Sequence, residues 1–157
     1  MACLTPGRTD GQRRPAVHHN VRLPENRETH LVHNNIARRI LLVLTALIFI
    51  AIATRAVFAP DQMASGLGYV LTGSNGYSEF YAIYLGVWLA TAALAILAAF
   101  RIRQPLIGDL VAMFVLAQPV GRLFALAKFG LPEGMLLAMF ALEAVGGLLV
   151  LGVRPSA

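Results

Sequence analysis

The chain has 157 residues, of which 57% are apolar and only 13% charged, with a mean hydropathy of +0.67. A soluble domain carries roughly twice that charged fraction, so composition excludes one, and the length suits a single small helical bundle rather than two domains. The net charge of +5 does not signal nucleic acid: seven of the 13 basic residues (Arg8, Arg13, Arg14, Arg22, Arg27, Arg38 and Arg39) precede Ile40, and a basic segment beside a first span sets topology or meets anionic lipid.

Residues 1–37 have no sustained apolar periodicity and are rich in Arg, Pro, Asn and His, which reads as a disordered basic tail. A later start, at Leu31 or Val32, is the alternative for this segment. His18, His19, His30 and His33 lack cysteine partners or a supporting fold, so they read as solvated loop histidines rather than metal ligands. Cys3 is the only cysteine, which leaves no intrachain disulfide to form.

About 20 helical residues cross a hydrocarbon core of about 30 Å. Four runs meet that length: 40–58, 80–100, 106–127 and 135–153. The expected fold is therefore all-α, an integral membrane four-helix bundle over 38–154. Pro105 opens the third run at a tolerated position, while Pro119 interrupts its hydrogen-bond ladder and predicts a kink. Asp61–Leu71 has the look of a short interfacial helix. A signal peptide ending at Ala51-x-Ala53 would leave three spans, but the apolar run continues past it into Arg55.

Arg38 and Arg39 precede the first span, Arg101 and Arg103 separate the second from the third, and Arg154 follows the fourth. By the positive-inside rule both termini lie in the cytoplasm, and the expected location is a bacterial inner membrane. That topology gathers Glu79, Arg122, Glu143 and Arg55 in the outer half of the bilayer, two positive and two negative. Arg122 lies about 8 Å, and Glu143 about 12 Å, from the outer ends of their spans. A charge at the centre of a span costs about 2.5–3.5 kcal/mol on insertion scales, so such groups turn inward and find partners. Gln118 shares a face with Arg122 at i, i+4. Asp109 lies near the inner end, within reach of Arg101, Arg103 or water.

Two readings of Arg122 and Glu143 stand. Either they form an ion pair that fixes helix register, or they line a cavity for a polar head group or a moving proton. Ser78, Ala82, Gly86 and Ala90 recur every four residues as a small-residue ridge, and Glu143 shares a face with Gly146 and Gly147. The ridge suits packing within the bundle or against a second copy. Tyr81, Tyr84 and Trp88 form a separate aromatic stripe, read as lipid-facing or packing. Gly66-x-Gly68 and the Thr72–Gly76 turn have neither a preceding strand nor a phosphate-binding lysine, and read as flexible turns. No Ser/His/Asp set, metal-ligand cluster or haem motif falls within the spans.

Over about residues 36–153 the chain resembles a family of small bacterial four-span proteins, domain of unknown function 4345. The resemblance rests on the run Ser78-Glu79-Phe80-Tyr81-Ala82-Ile83-Tyr84-Leu85-Gly86, on Gly121-Arg122, on Gly130-Leu131-Pro132 and on Glu143. Tyr81 stands where the family generally carries Arg. The resemblance implies four spans and a polar cluster, and no established activity. The functional expectation is a non-enzymatic structural or accessory membrane protein. Its runner-up is a protein that binds a lipid or small amphiphile, with a membrane enzyme or a proton or ion pathway further behind. Membrane lipid is the expected partner, a protein partner or a second copy the alternative, and no cofactor is implied.

Overall fold

A computed structural model describes the backbone of residues 25–154 and the side chains of residues 34–154. The elements are α1 (Glu25–Phe58), α2 (Pro60–Gly66), α3 (Gly73–Tyr81), a π-helical segment (Ala82–Val87), α4 (Trp88–Phe100), α5 (Pro105–Phe129) and α6 (Met135–Gly152). Four stretches are long and apolar enough to cross a membrane: Asn34–Phe58, Gly73–Phe100, Pro105–Phe129 and Met135–Gly152. The second of these is α3, the π segment and α4 read as one continuous helix.

The first helix begins at Glu25, inside the segment that composition assigns to the tail; the rest of that segment, 1–24, lies outside the described residues. The side chains of His18, His19, His30 and His33 lie outside them too. The short helix expected within Asp61–Leu71 is α2, which starts at Pro60, where a missing amide proton costs nothing. Tyr77 Oη donates to Asp61 Oδ1 at 2.6 Å and ties α3 to it. Gly130 and Gly134 bracket the α5–α6 turn at φ of 87° and 59°, values that a side chain would strain.

Small residues bring α1 and α4 into close contact. Ala46 and Ala53 on α1, and Ala92, Ala95, Ala98 and Ala99 on α4, are almost fully buried, with Leu42, Phe49 and Trp88 filling the space between. Close backbone approach through small residues is how helices associate where lipid removes any hydrophobic drive. A second cluster, Ala56, Met63, Ala64, Leu67 and Phe80, seals the end of the bundle under α2.

α4 also packs on α5, and α5 on α6. There Gly147 is essential to the fit: a Cβ at this position would stand 2.6 Å from Leu116 Cγ. The ring of four helices closes less tightly between α6 and α1, whose contacts are sparse.

The small-residue ridge does not build the bundle. Ser78, Ala82, Gly86 and Ala90 are all exposed, whereas Phe80 and Trp88 are buried and Tyr84 is half-buried. The physical reason is phase: residues 80, 84 and 88 turn one face of this helix inward, and the ridge lies on another. Of the two packings open to the ridge, within the bundle or against a second copy, the first is not the one seen for Ala82, Gly86 and Ala90, and the aromatic stripe supplies the core instead. Phe80, Tyr84 and Trp88 stack at centroid distances of 4.7 and 5.0 Å, and Trp88 meets Phe49 at 5.3 Å.

Candidate functional site

Arg122 on α5 reaches Glu143 on α6. Its Nη1 donates to Glu143 Oε2, and its Nη2 lies 3.5 Å from Oε1, so both carboxylate oxygens face the guanidinium. Glu143 is 7% exposed and Arg122 20%. Glu143, Gly147 and Val150 form the buried face of α6, and Val115 and Pro119 lead along α5 toward Arg122. Pro119 withholds the amide proton that the Val115 carbonyl would otherwise accept. Tyr84, in the π segment, is half-buried and stacks between Phe80 and Trp88. Single π turns inside α-helices occur frequently at functional sites.

The other residues expected in this cluster lie elsewhere. Glu79 is exposed and, among the described residues, makes no ion pair. Turning its neighbour Phe80 into the core turns Glu79 out of it. Arg55 is exposed next to the buried Ala56, and borders a shallow depression with Thr54, Phe58 and Gln62. Gln118 is half-buried. The four-residue cluster is thus reduced to one pair. Of the expected packing glycines, Gly147 is buried against Leu116, whereas Gly146 is half-buried with nothing within 4 Å of an added Cβ.

A second ion cluster stands at the opposite end of the bundle. Arg38 on α1 is 1% exposed, and its Nη2 donates to Asp109 Oδ1 at 2.5 Å and to the Pro105 carbonyl at 3.1 Å. Arg154, just past α6, places Nε 2.9 Å from Asp109 Oδ2. One carboxylate on α5 therefore holds both ends of the chain's membrane domain. Gly108 makes the space, since a Cβ there would lie 2.7 Å from Arg38 Nη2. The reading that gave Asp109 to Arg101, Arg103 or water is corrected: Arg101 and Arg103 lie exposed at the α4–α5 turn. Arg38 reads in sequence as a topology signal only. The one clue to its partner was the Gly108-Asp109 step, a carboxylate beside a missing side chain one turn into a span.

The loose seam between α1 and α6 is an apolar cleft of ≈ 200 Å³. Leu44, Ile48 and Phe49 line one wall, Val145, Gly146 and Leu149 the other, and Val115 lies between them. Among the described residues, Glu143 is the only ionisable one on its walls. The two walls are antiparallel, so Ile52 stands near Met139 and Leu41 near Leu149. Among the described residues, no three His, Cys, Asp or Glu side chains come together as metal ligands.

Four apolar helices of spanning length, with their buried charges paired, define a multi-pass membrane protein of the four-span helical class. Within that class the chain belongs to the family described as Domain of unknown function (DUF4345), whose model matches residues 37–153. No curated protein and no solved structure matches it.

Proposed function

We propose that this chain is an accessory membrane protein that holds a lipid or small amphiphile in the α1–α6 seam. The observation that carries the reading is the cleft itself, an apolar slot between two spans with a single paired acid in its wall. Ligand sites share this make-up: a mostly apolar lining and a few placed polar groups that fix orientation. The surrounding medium supplies the occupant, because a groove on the lipid-facing side of a bundle meets acyl chains before anything else. The Arg122–Glu143 pair has a structural share in the same reading, since it pins α6 to α5 while leaving the α1 side loose.

Native-membrane extraction followed by mass spectrometry tests the proposal. A small molecule should copurify in stoichiometric amount with the wild-type chain and be lost from the Arg122→Ala/Glu143→Ala variant. A wild-type bundle that retains nothing, or only another protein, sinks the binding role and leaves the structural one.

The proposal includes an orientation in a bacterial inner membrane, with Arg38, Arg39, Arg101, Arg103 and Arg154 at the cytoplasmic end. In a chain lacking Cys3, a cysteine placed at exposed Ser74 should react with a membrane-impermeant reagent in intact cells. One placed at exposed Arg103 should react only after lysis. The reverse pattern inverts the topology.

A further inference from the structure

We propose that the α1–α6 cleft selects a single-chain amphiphile with an uncharged, hydroxyl-bearing head, and rejects anionic and cationic heads. The inference rests on the binding role proposed above and names the class of ligand that the same cleft takes.

Charge comes first. Glu143 is the one ionisable group that the described residues place on the cleft walls, and Arg122 already engages both of its oxygens. The wall therefore presents a neutralised pair rather than a net charge. A phosphate or carboxylate head would meet a wall with no net charge and could reach Arg122 only by displacing Glu143 from it. An ammonium head would have to take Glu143 from Arg122, leaving a guanidinium only 20% exposed without its partner. Both exchanges break a charge-assisted contact in a medium where such contacts are strongest.

Hydrogen-bonding capacity comes next. A carboxylate offers about four lone-pair sites, and Arg122 occupies about half of them. The spare capacity of Glu143 accepts, so the matching head is a donor: a hydroxyl. The Thr45 hydroxyl, which lines the α1 wall and donates to the Leu41 carbonyl, is a further polar group on the cleft.

Size and access set the chain. The cleft runs along α6 from Met139 to Leu149, which is about 15 Å of helix. Its volume of ≈ 200 Å³ is below the roughly 300–1,000 Å³ of pockets that enclose drug-sized ligands, and suits one thin chain rather than a two-chain phospholipid. Leu44, Leu142, Val145 and Leu149 form a rim about half-exposed, so the slot opens sideways into lipid.

The fold supplies its own reporter. Trp88 is the only tryptophan of the chain, and its ring lies 5.3 Å from Phe49, a cleft-lining residue. The full chain, in micelles or zwitterionic nanodiscs, is titrated with a long-chain alcohol brominated at its tail. The alkyl phosphate and alkylammonium of the same length and bromination serve as comparison probes. The alcohol should quench Trp88 fluorescence saturably, at a concentration at least about tenfold below that of either charged probe. Gly146→Leu, whose added Cβ meets nothing within 4 Å at the cleft wall, should abolish the saturable part with its thermal midpoint unchanged. Val145→Phe on the exposed rim is the second blocking variant.

Charged probes that bind as tightly as the alcohol overturn the assigned class and leave the cleft a binding site. Unsaturable quenching by every probe, or saturable quenching that survives both blocking variants, overturns the binding role and this inference with it.

Discussion

Asp109→Ala should destabilise the bundle by about 3–5 kcal/mol, the scale for stripping one partner from a buried ion pair. The size follows from what is left behind. Arg38 is 1% exposed, so its guanidinium cannot recover water when the carboxylate goes, and among the described residues the Pro105 carbonyl alone remains to accept from it. Arg154 loses its partner at the same time, but it is 57% exposed, and surface pairs contribute only about 0–1 kcal/mol. The loss is therefore dominated by Arg38. The apolar double replacement Arg38→Met/Asp109→Leu should recover most of the stability, because the desolvation cost of the pair disappears along with the pair. Thermal unfolding in detergent, followed by circular dichroism, reads both variants. An Asp109→Ala midpoint equal to that of the wild type would show that the cluster holds nothing together.

Removing Glu143 should have the second-largest effect, about 3 kcal/mol, at the low end of the same range. Arg122 is 20% exposed and sits on a long side chain that can carry its head toward an interface. That freedom is denied to Arg38, and the ordering of the two variants depends on it. The exchanged pair Arg122→Glu/Glu143→Arg should regain stability if direct pairing is the main contribution, and either single exchange should be worse than Glu143→Ala because it juxtaposes like charges. A double-mutant cycle on unfolding midpoints isolates the coupling. Coupling of zero would assign the destabilisation to lost packing around the buried Glu143 rather than to the pair.

The two ion clusters differ in how far the local sequence points to each pairing. Arg122 and Glu143 were legible as partners, because each is an isolated charge in a long apolar run and topology places both near the same membrane surface. Arg38 and Asp109 were not, although they form the more buried pair. Arg38 sits at the foot of a span, where basic residues carry a topology signal, and its partner is 71 positions away. Only the packing of α1 beside the start of α5, over Gly108, brings them together.

The number of spans and the places where they end follow from the sequence alone, since hydropathy over about 20 residues is a local property; where the first two begin does not, because their helices start at Glu25 and Gly73, ahead of the apolar runs at 40 and 80. The facing of each span does not follow either. In a soluble helix an apolar stripe marks the core, but lipid is as apolar as a protein interior, and the second span is apolar on every side. Its small-residue ridge and its aromatic stripe are equally good inward faces on paper. Contacts with α1 decide between them: Trp88 meets Phe49, and Gly86 and Glu79 are left outside. The seam between α6 and α1 is likewise a tertiary fact. No run of residues records that two of four apolar helices touch only sparsely, yet that gap places Glu143 on the wall of a cleft.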